Sequence, residues 1–240
     1  MGLQTLTVGV SVKTRDRIIQ ASIELFNEHG ERPITTNHIA AHLGISPGNL
    51  YYHFRSKTDI IHNIFAEYQH QLESMLPHIE PDMNTITYLK MTFDGIFALM
   101  WRFSFFYSNL PDILSRDDKL REAYLDVQIH QVQHLVSVVN MLKKAGVLTI
   151  PQEDIADFVN ALKVTGTFWI SYIKTHPVIT SCEETVARIE KPEEGGKINK
   201  AMVYKGVGAV LLVLKPYLSV EDQQGILQLQ RHYNDLAAHN

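Results

Sequence analysis

The sequence predicts an all-α protein in which a small N-terminal three-helix unit precedes a larger helical body. Three observations predict it. Apolar residues recur at helical spacing in nearly every apolar stretch, glycine and proline fall at the joints between stretches, and no run shows the alternation of a strand. With 240 residues and 45% hydrophobic content, the chain can bury one large core or a small one plus a medium one.

The N-terminal unit reads KTRDRIIQASIELFNEHGERPITTNHIAAHLGISPGNLYYHFRSK, residues 13–57. Ile18, Ala21, Leu25 and Phe26 stand at spacings of three, four and seven, a stripe on one face of a helix from Thr14 to His29. Gly30 stops it, because glycine tolerates positive φ. Thr35 or Thr36 caps a short helix through Ile39, Ala40 and Leu43, which ends at Gly44. Ser46 caps a third helix, with Pro47 at its first position, where a missing N–H costs nothing. Helix, loop, short helix, glycine turn and short helix make up a helix-turn-helix DNA reader. Asn49, Tyr51, Tyr52 and His53 give the third helix polar tips suited to phosphate oxygens and base edges, while Leu50 and Phe54 can point inward. On spacing alone, a solvated helix with its aromatic residues packed on a neighbour is an equally good reading.

The segment resembles the N-terminal DNA-binding domain of the TetR/AcrR family of bacterial transcriptional regulators. The resemblance rests on Leu25-Phe26-Asn27-Glu28-His29-Gly30 and on Thr36-x-x-Ile39-Ala40. It rests above all on Leu43-Gly44-Ile45-Ser46-x-Gly48-x-Leu50-Tyr51-Tyr52-His53-Phe54-x-Ser56-Lys57, which is specific at almost every position. It covers about a quarter of the chain; the remainder is similar only in helical architecture. The resemblance implies backbone contacts from Thr36, Tyr51, Tyr52, His53 and Lys57. Ser46 lies at the start of the recognition helix, with Pro47, Gly48 and Asn49 nearest the bases. It also implies a ligand-binding, dimeric body in which two late helices per subunit, roughly Ile155–Lys174 and Lys200–Tyr217, form a four-helix interface. The expected function is a transcriptional regulator, a repressor by family habit. It would bind a palindromic operator as a homodimer and be released by a small, largely apolar effector. A body without an internal cavity would point instead to control by a protein partner; a helical interaction module that has lost DNA binding is a third reading, favoured only by the near-neutral reader.

Charge is unevenly placed. The chain carries −4 overall, yet residues 1–60 hold six Lys/Arg against five acids. A reader at +1 depends on a few well-placed contacts and on duplication by dimerisation rather than on a broad basic patch. A short recognition helix likewise reads few base pairs alone. One cysteine, Cys182, excludes an intramolecular disulfide and reads as an ordinary small apolar residue. The first 12 residues, MGLQTLTVGVSV, lack a basic start and a long apolar run; they read as a disordered arm rather than a signal peptide. No run approaches the length of a membrane span. The expected division is therefore an arm at 1–12, the reader at 13–57 and a helical effector-binding and dimerisation domain at 58–240, in a cytoplasmic protein.

In the body, a helix from Lys57 to about Leu76 carries Ile60, Ile61, Ile64, Phe65, Tyr68 and Leu72 on one side, ends at Pro77 and Pro81, and links reader to body. Thr85–Tyr107 is apolar nearly all round and predicts one long central helix. A break at Asn109-Leu110-Pro111 and a short helix follow. Leu120 to Ala145 predicts another long helix, and Pro151 opens one reaching Lys174, before His176-Pro177. The polar stretch 180–196 reads as an exposed loop with one weak helical turn. Lys200 to Tyr217, with Gly206, Gly208 and Ala209 permitting close helix approach, and Val220 to Ala238 complete the chain.

The aromatic run is the candidate pocket lining: Phe93, Phe97, Met100, Trp101, Phe105 and Tyr107, with Trp169 and, for orientation, Gln128 or Asn109. Two adjacent helix faces cannot all line one cavity, so some of these residues are packing. Asp94 and Arg102 are the only charges within the run, which favours a neutral or lipid-like effector. Asp126, His130 and His134 share a face at i, i+4, i+8. The triplet spans about 12 Å of helix and cannot ligate one ion, so it reads as a polar stripe; His70 and His78 have less support still. There is no phosphate loop, nucleophile elbow or carboxylate pair, so neither catalysis nor a metal or cofactor is expected.

Overall fold

The computed structural model describes residues 13–75, 84–183, 186–190 and 198–239. The chain divides into two compact units, Met1–Ala66 and Glu67–Asn240.

Unit 1 contains α1 (Thr14–His29), α2 (Thr36–Leu43), α3 (Pro47–His53) and the first half of α4 (Lys57–Met75). Its core is Ile18, Phe26, Ile39, Leu50, Phe54 and Ile60, each 1% exposed or less. Burying side chains of this size contributes about 1.5–3 kcal/mol apiece. The expected stops are present: Gly30 lies at φ 81 and Gly44 at φ 65. Thr35 caps α2 by accepting from the His38 N–H, while His38 Nδ1 accepts from the Thr35 N–H, both at 3.3 Å. This is a capping box with histidine in place of the usual Glu or Gln. The division falls inside α4, not at its first residue as the sequence suggests, because Ile60, Ile61, Ile64 and Phe65 are buried.

Unit 2 contains the rest of α4 with α5 (Thr85–Arg102), α6 (Ser104–Ser108), α7 (Leu110–Ser115), α8 (Asp118–Lys144), α9 (Ile155–Thr175), α10 (Lys200–Leu214) and α11 (Val220–Ala238). α10 packs against α5, α9 and α11 around a core that includes Phe93, Val139, Phe158, Leu211, Ile226 and Tyr233. Tyr233 is fully buried and donates its hydroxyl to Asp94 Oδ1 at 2.8 Å. The Trp169 ring lies on Gly206, where an added Cβ would come within 2.5 Å of it, and Trp169 Nε1 donates to the Met202 carbonyl.

Three expectations change. The predicted helix Thr85–Tyr107 breaks at Phe103 (φ −109, ψ 34) into α5 and α6, which lets the α6 side chains Phe105, Phe106 and Tyr107 all be buried. Nor is that stretch buried all round, since Met91 is 50% exposed. α9 starts at Ile155, four residues later than Pro151 implies. In the expected loop, β1 (Val178–Glu183) and β2 (Val186–Glu190) form an antiparallel hairpin with an irregularity between Ile179 and Ser181. Val178, Ile179, Thr180, Val186 and Ile189 supply the β-branched residues that favour it. The arm at 1–12, Pro77, His78, Pro81 and the loop residues 184–185 and 191–197 lie outside the described residues.

Candidate nucleic-acid interface and effector cavity

The reader's third helix is held by two local devices. Ser46 Oγ accepts from the Asn49 N–H at 3.2 Å, and Pro47 follows it at the first helical position. Leu50 and Phe54 anchor the inner face. The outer face then presents Ser46, Pro47, Gly48, Asn49, Tyr51 and Tyr52 to solvent, with His53 half-buried. Tyr52 is 86% exposed, an unusual position for a large aromatic side chain. Tyr51 and Thr36 meet through their hydroxyls at 3.1 Å, joining α2 to α3, and the Tyr52 ring stands edge-on to His53. All these groups are neutral or polar; the surface can donate hydrogen bonds to phosphates without a charge cluster.

Lys57 is placed differently from the expected backbone contact. Its Nζ pairs with the buried Glu31 carboxylate at 2.6 Å and donates to the Glu31 and Arg32 carbonyls at 2.6 and 3.3 Å. Its three protons thus have three acceptors inside unit 1. Lys57→Met is expected to cost unit 1 about 1–2 kcal/mol in thermal unfolding, since it removes a partly exposed ammonium from the buried Glu31 carboxylate. It should leave the salt dependence of DNA binding unchanged. A phosphate contact would instead lower the slope of log K against log salt by about one per copy.

Unit 2 holds a partly open cavity of about 230 Å³ lined by residues of α4, α5, α6, α8, α9 and α10. Of the expected lining, Phe93, Met100, Tyr107 and Gln128 are on its wall. Phe97, Trp101, Phe105 and Trp169 are not, for packing reasons. Phe97 stacks on Tyr204 with ring centroids 3.8 Å apart, and Lys200 lies over Trp101. Phe105 is buried edge-on against Phe106, and Trp169 lies on Gly206. Asn109 does not reach the wall either. The polar residues of the wall missed by sequence are Tyr68, Tyr88, Thr92, Tyr124, Gln131, His134, Lys163 and Thr167. Tyr68 and Tyr107 meet through their hydroxyls at 3.2 Å, and Gln131 hydrogen-bonds Tyr68. Burial raises the pKa of Tyr68, Tyr107 and Tyr124, keeping all three phenols neutral. Lys163 Nζ donates to Gln128 and Gln131 Oε1, each at 2.7 Å, and burial lowers its pKa to about 8. The Asp126, His130, His134 stripe splits: Asp126 and His130 are exposed, His134 turns to the cavity, and no metal cluster occurs among the described residues.

Family models agree with both units. Residues 18–64 match bacterial regulatory proteins of the tetR family, and residues 67–226, most of the chain, match the bacterial transcriptional repressor model of TetR. The chain belongs to the TetR family. A TetR-family transcriptional regulator from Marinobacter aquaeolei VT8 is similar in structure at 33% identity, with TM-score 0.77, 92% of this chain and 99% of that one covered. The ketosteroid transcriptional regulator KstR2 of Mycobacterium tuberculosis shares the fold at 19% identity and TM-score 0.59, covering 86% and 96%. The HTH-type transcriptional regulator SrpR of Pseudomonas putida is 36% identical over 67 residues, which are 28% of this chain and 32% of SrpR. The matches span about a third to a half of the curated relatives' length. The TetR-family chain is therefore a DNA-binding transcriptional regulator with a helix-turn-helix unit. Among its described residues, no helix is long and apolar enough to cross a membrane.

Proposed function

We propose that this TetR-family protein is a cytoplasmic, ligand-responsive repressor that binds a palindromic operator as a homodimer. The observation that carries the reading is the partly open cavity in unit 2, whose wall includes Tyr68, Leu72 and Met75 of α4. α4 is one continuous helix, and its N-terminal half carries Ile60 and Ile64 of the reader's core. An effector that binds one arrangement of Tyr68, Leu72 and Met75 better than another biases the helix shared with the reader, by no more than its differential affinity. The same cavity weighs against control by a protein partner alone.

Dimerisation through α9 and α10 is supported by exposed apolar side chains. Val164, Phe168 and Tyr172 stand at i, i+4, i+8 on α9, exposed by 60%, 43% and 45%, and Leu212 on α10 by 54%. An apolar stripe of this kind marks a contact face. Two copies of residues 46–53 would then reach successive major grooves about 34 Å apart.

Fluorescence anisotropy with DNA from the gene's own upstream region tests the reading. Salt-sensitive binding to a palindrome, with two chains per site, is expected, and a reporter under that region should rise when the gene is deleted. A reporter that falls would mean activation. Leu162→Trp, which fills the cavity from α9, should bind DNA normally yet resist release by any small molecule that displaces the unaltered protein. Release that is indifferent to Leu162→Trp would remove the cavity from the mechanism.

A further inference from the structure

One part of the cavity wall is unlike the rest. Leu72, Phe93, Val138, Phe158, Val210 and Leu214 make most of it apolar. Lys163 interrupts this surface. Its ammonium is met by two neutral amide oxygens, Gln128 Oε1 and Gln131 Oε1, and no carboxylate of the described residues pairs with it. One turn along α8 from Gln131, His134 presents a buried Nε2 with no hydrogen-bond partner. Cation, amides and imidazole thus stand together on adjoining turns of α8 and α9, beside the Tyr68–Tyr107 hydroxyl pair. A cation partly withdrawn from water and met only by amide dipoles is poorly compensated, and so is a buried ring nitrogen without a partner. A single carboxylate completes both: it accepts from the ammonium, from a turned glutamine N–H₂ and from imidazole N–H, in charge-assisted bonds stronger than neutral ones.

We propose that the effector is an apolar molecule carrying one carboxylate, bound with its acid against Lys163, Gln131 and His134 and its body along the apolar wall. The inference rests on the reading of the cavity as the effector site. It shifts the expectation drawn from the aromatic run, a neutral or lipid-like effector, toward an acidic amphiphile. A second consequence concerns protons. Burial lowers the Lys163 pKa to about 8, and a carboxylate beside it favours the charged form. At pH 8 binding should therefore take up roughly half a proton per chain, and affinity for the acid should fall as pH rises beyond that point. The other titratable groups facing the cavity are Tyr68, Tyr88, Tyr107, Tyr124 and His134. Burial keeps the four phenols neutral, and His134→Gln separates the histidine from the lysine.

Calorimetric titration of the full chain at pH 8, in two buffers of different ionisation enthalpy, tests this with decanoate and decanol. Decanoate should bind about tenfold or more tighter than decanol and take up protons. Lys163→Met should lose both the preference and the uptake while binding decanol as before. Lys163→Arg should restore the preference, and His134→Gln should keep the proton uptake. Equal binding of acid and alcohol, a preference that survives Lys163→Met, or uptake lost only in His134→Gln would each overturn the acid-binding role of Lys163 alone. Binding of neither probe, by protein that still binds its operator, would overturn the cavity reading and the acidic effector with it.

Discussion

Phe54→Ala is expected to unfold the DNA-reading unit and abolish operator binding without touching any group on its outer face. Phe54 is 1% exposed, follows directly on α3, and donates its N–H to the Leu50 carbonyl at 2.9 Å. Its ring also lies beneath the Arg15 guanidinium at 5.0 Å. Truncating a buried phenylalanine costs about 3–5 kcal/mol in lost transfer energy and residual cavity. Small domains bury a smaller share of their surface than large ones, and 3–5 kcal/mol is a large part of a typical folding stability. Phe54 ties the end of α3 to Arg15 of α1, so the recognition helix should lose its inner anchor first. Thermal melts followed by circular dichroism should show an early transition in Phe54→Ala, with operator affinity returning at low temperature. Phe54→Leu, which keeps most of the volume, should restore both at a cost of about 1 kcal/mol. An unchanged melt accompanied by lost binding would show instead that the ring reaches DNA.

What the sequence made legible was whatever local chemistry decides. Gly30, Gly44, Ser46 and Pro47 each act within one turn of chain, and each ends or starts its helix where spacing and residue type predict. The break at Phe103 carries no such signal. Arg102-Phe103-Ser104 has neither glycine nor proline, and the kink is set by how α6 packs against α9. The hairpin at residues 178–190 hides behind Glu183, Arg188 and Glu190, whose charge outweighs its β-branched residues in a reading by composition. The cavity was half legible for a related reason. Helical periodicity says which residues are apolar but not which apolar face meets a void, so Phe93 and Met100 could not be separated from Phe97 and Trp101. Lys163 had a faint signal: one cation directly after Leu162 and before Gly166 and Ile170, in a helix whose other charges are confined to its two ends. Lys57 lies next in sequence to residues expected to face DNA, and its acceptors, on Glu31 and Arg32, are too distant in sequence for spacing to show.

Tyr51→Ala is the change that should damage DNA binding most while leaving the fold intact. The Tyr51 side chain is half-exposed and meets α2 through the hydroxyl contact with Thr36, so its removal should alter unit 1 stability by about 0.5 kcal/mol or less. Thr36 and Tyr51 share one proton between their hydroxyls and keep the other free to donate; on the proposed reading it goes to a phosphate oxygen, and a hydrogen bond to a charged group is worth about 1.5–3 kcal/mol. A symmetric dimer makes the contact twice, so the loss should be about 3 kcal/mol or more, at least a hundredfold in affinity. Phosphate contacts carry no sequence information, so every operator variant should weaken alike, whereas Asn49→Ala, at a position expected to lie nearest the bases, should relax discrimination between them. Because tyrosine is neutral, Tyr51→Ala should lower affinity without changing the slope of log K against log salt. That separation suits a reader with six basic residues against five acids: its affinity has to come from hydrogen bonds held in place by the fold, which the rigid Ser46 cap and the buried Leu50 and Phe54 provide. A salt slope that drops with Tyr51→Ala, or an affinity that does not, would mean the phosphate is held by a cation elsewhere, with Arg15, Arg17 or Arg55 the first to examine by the same titration.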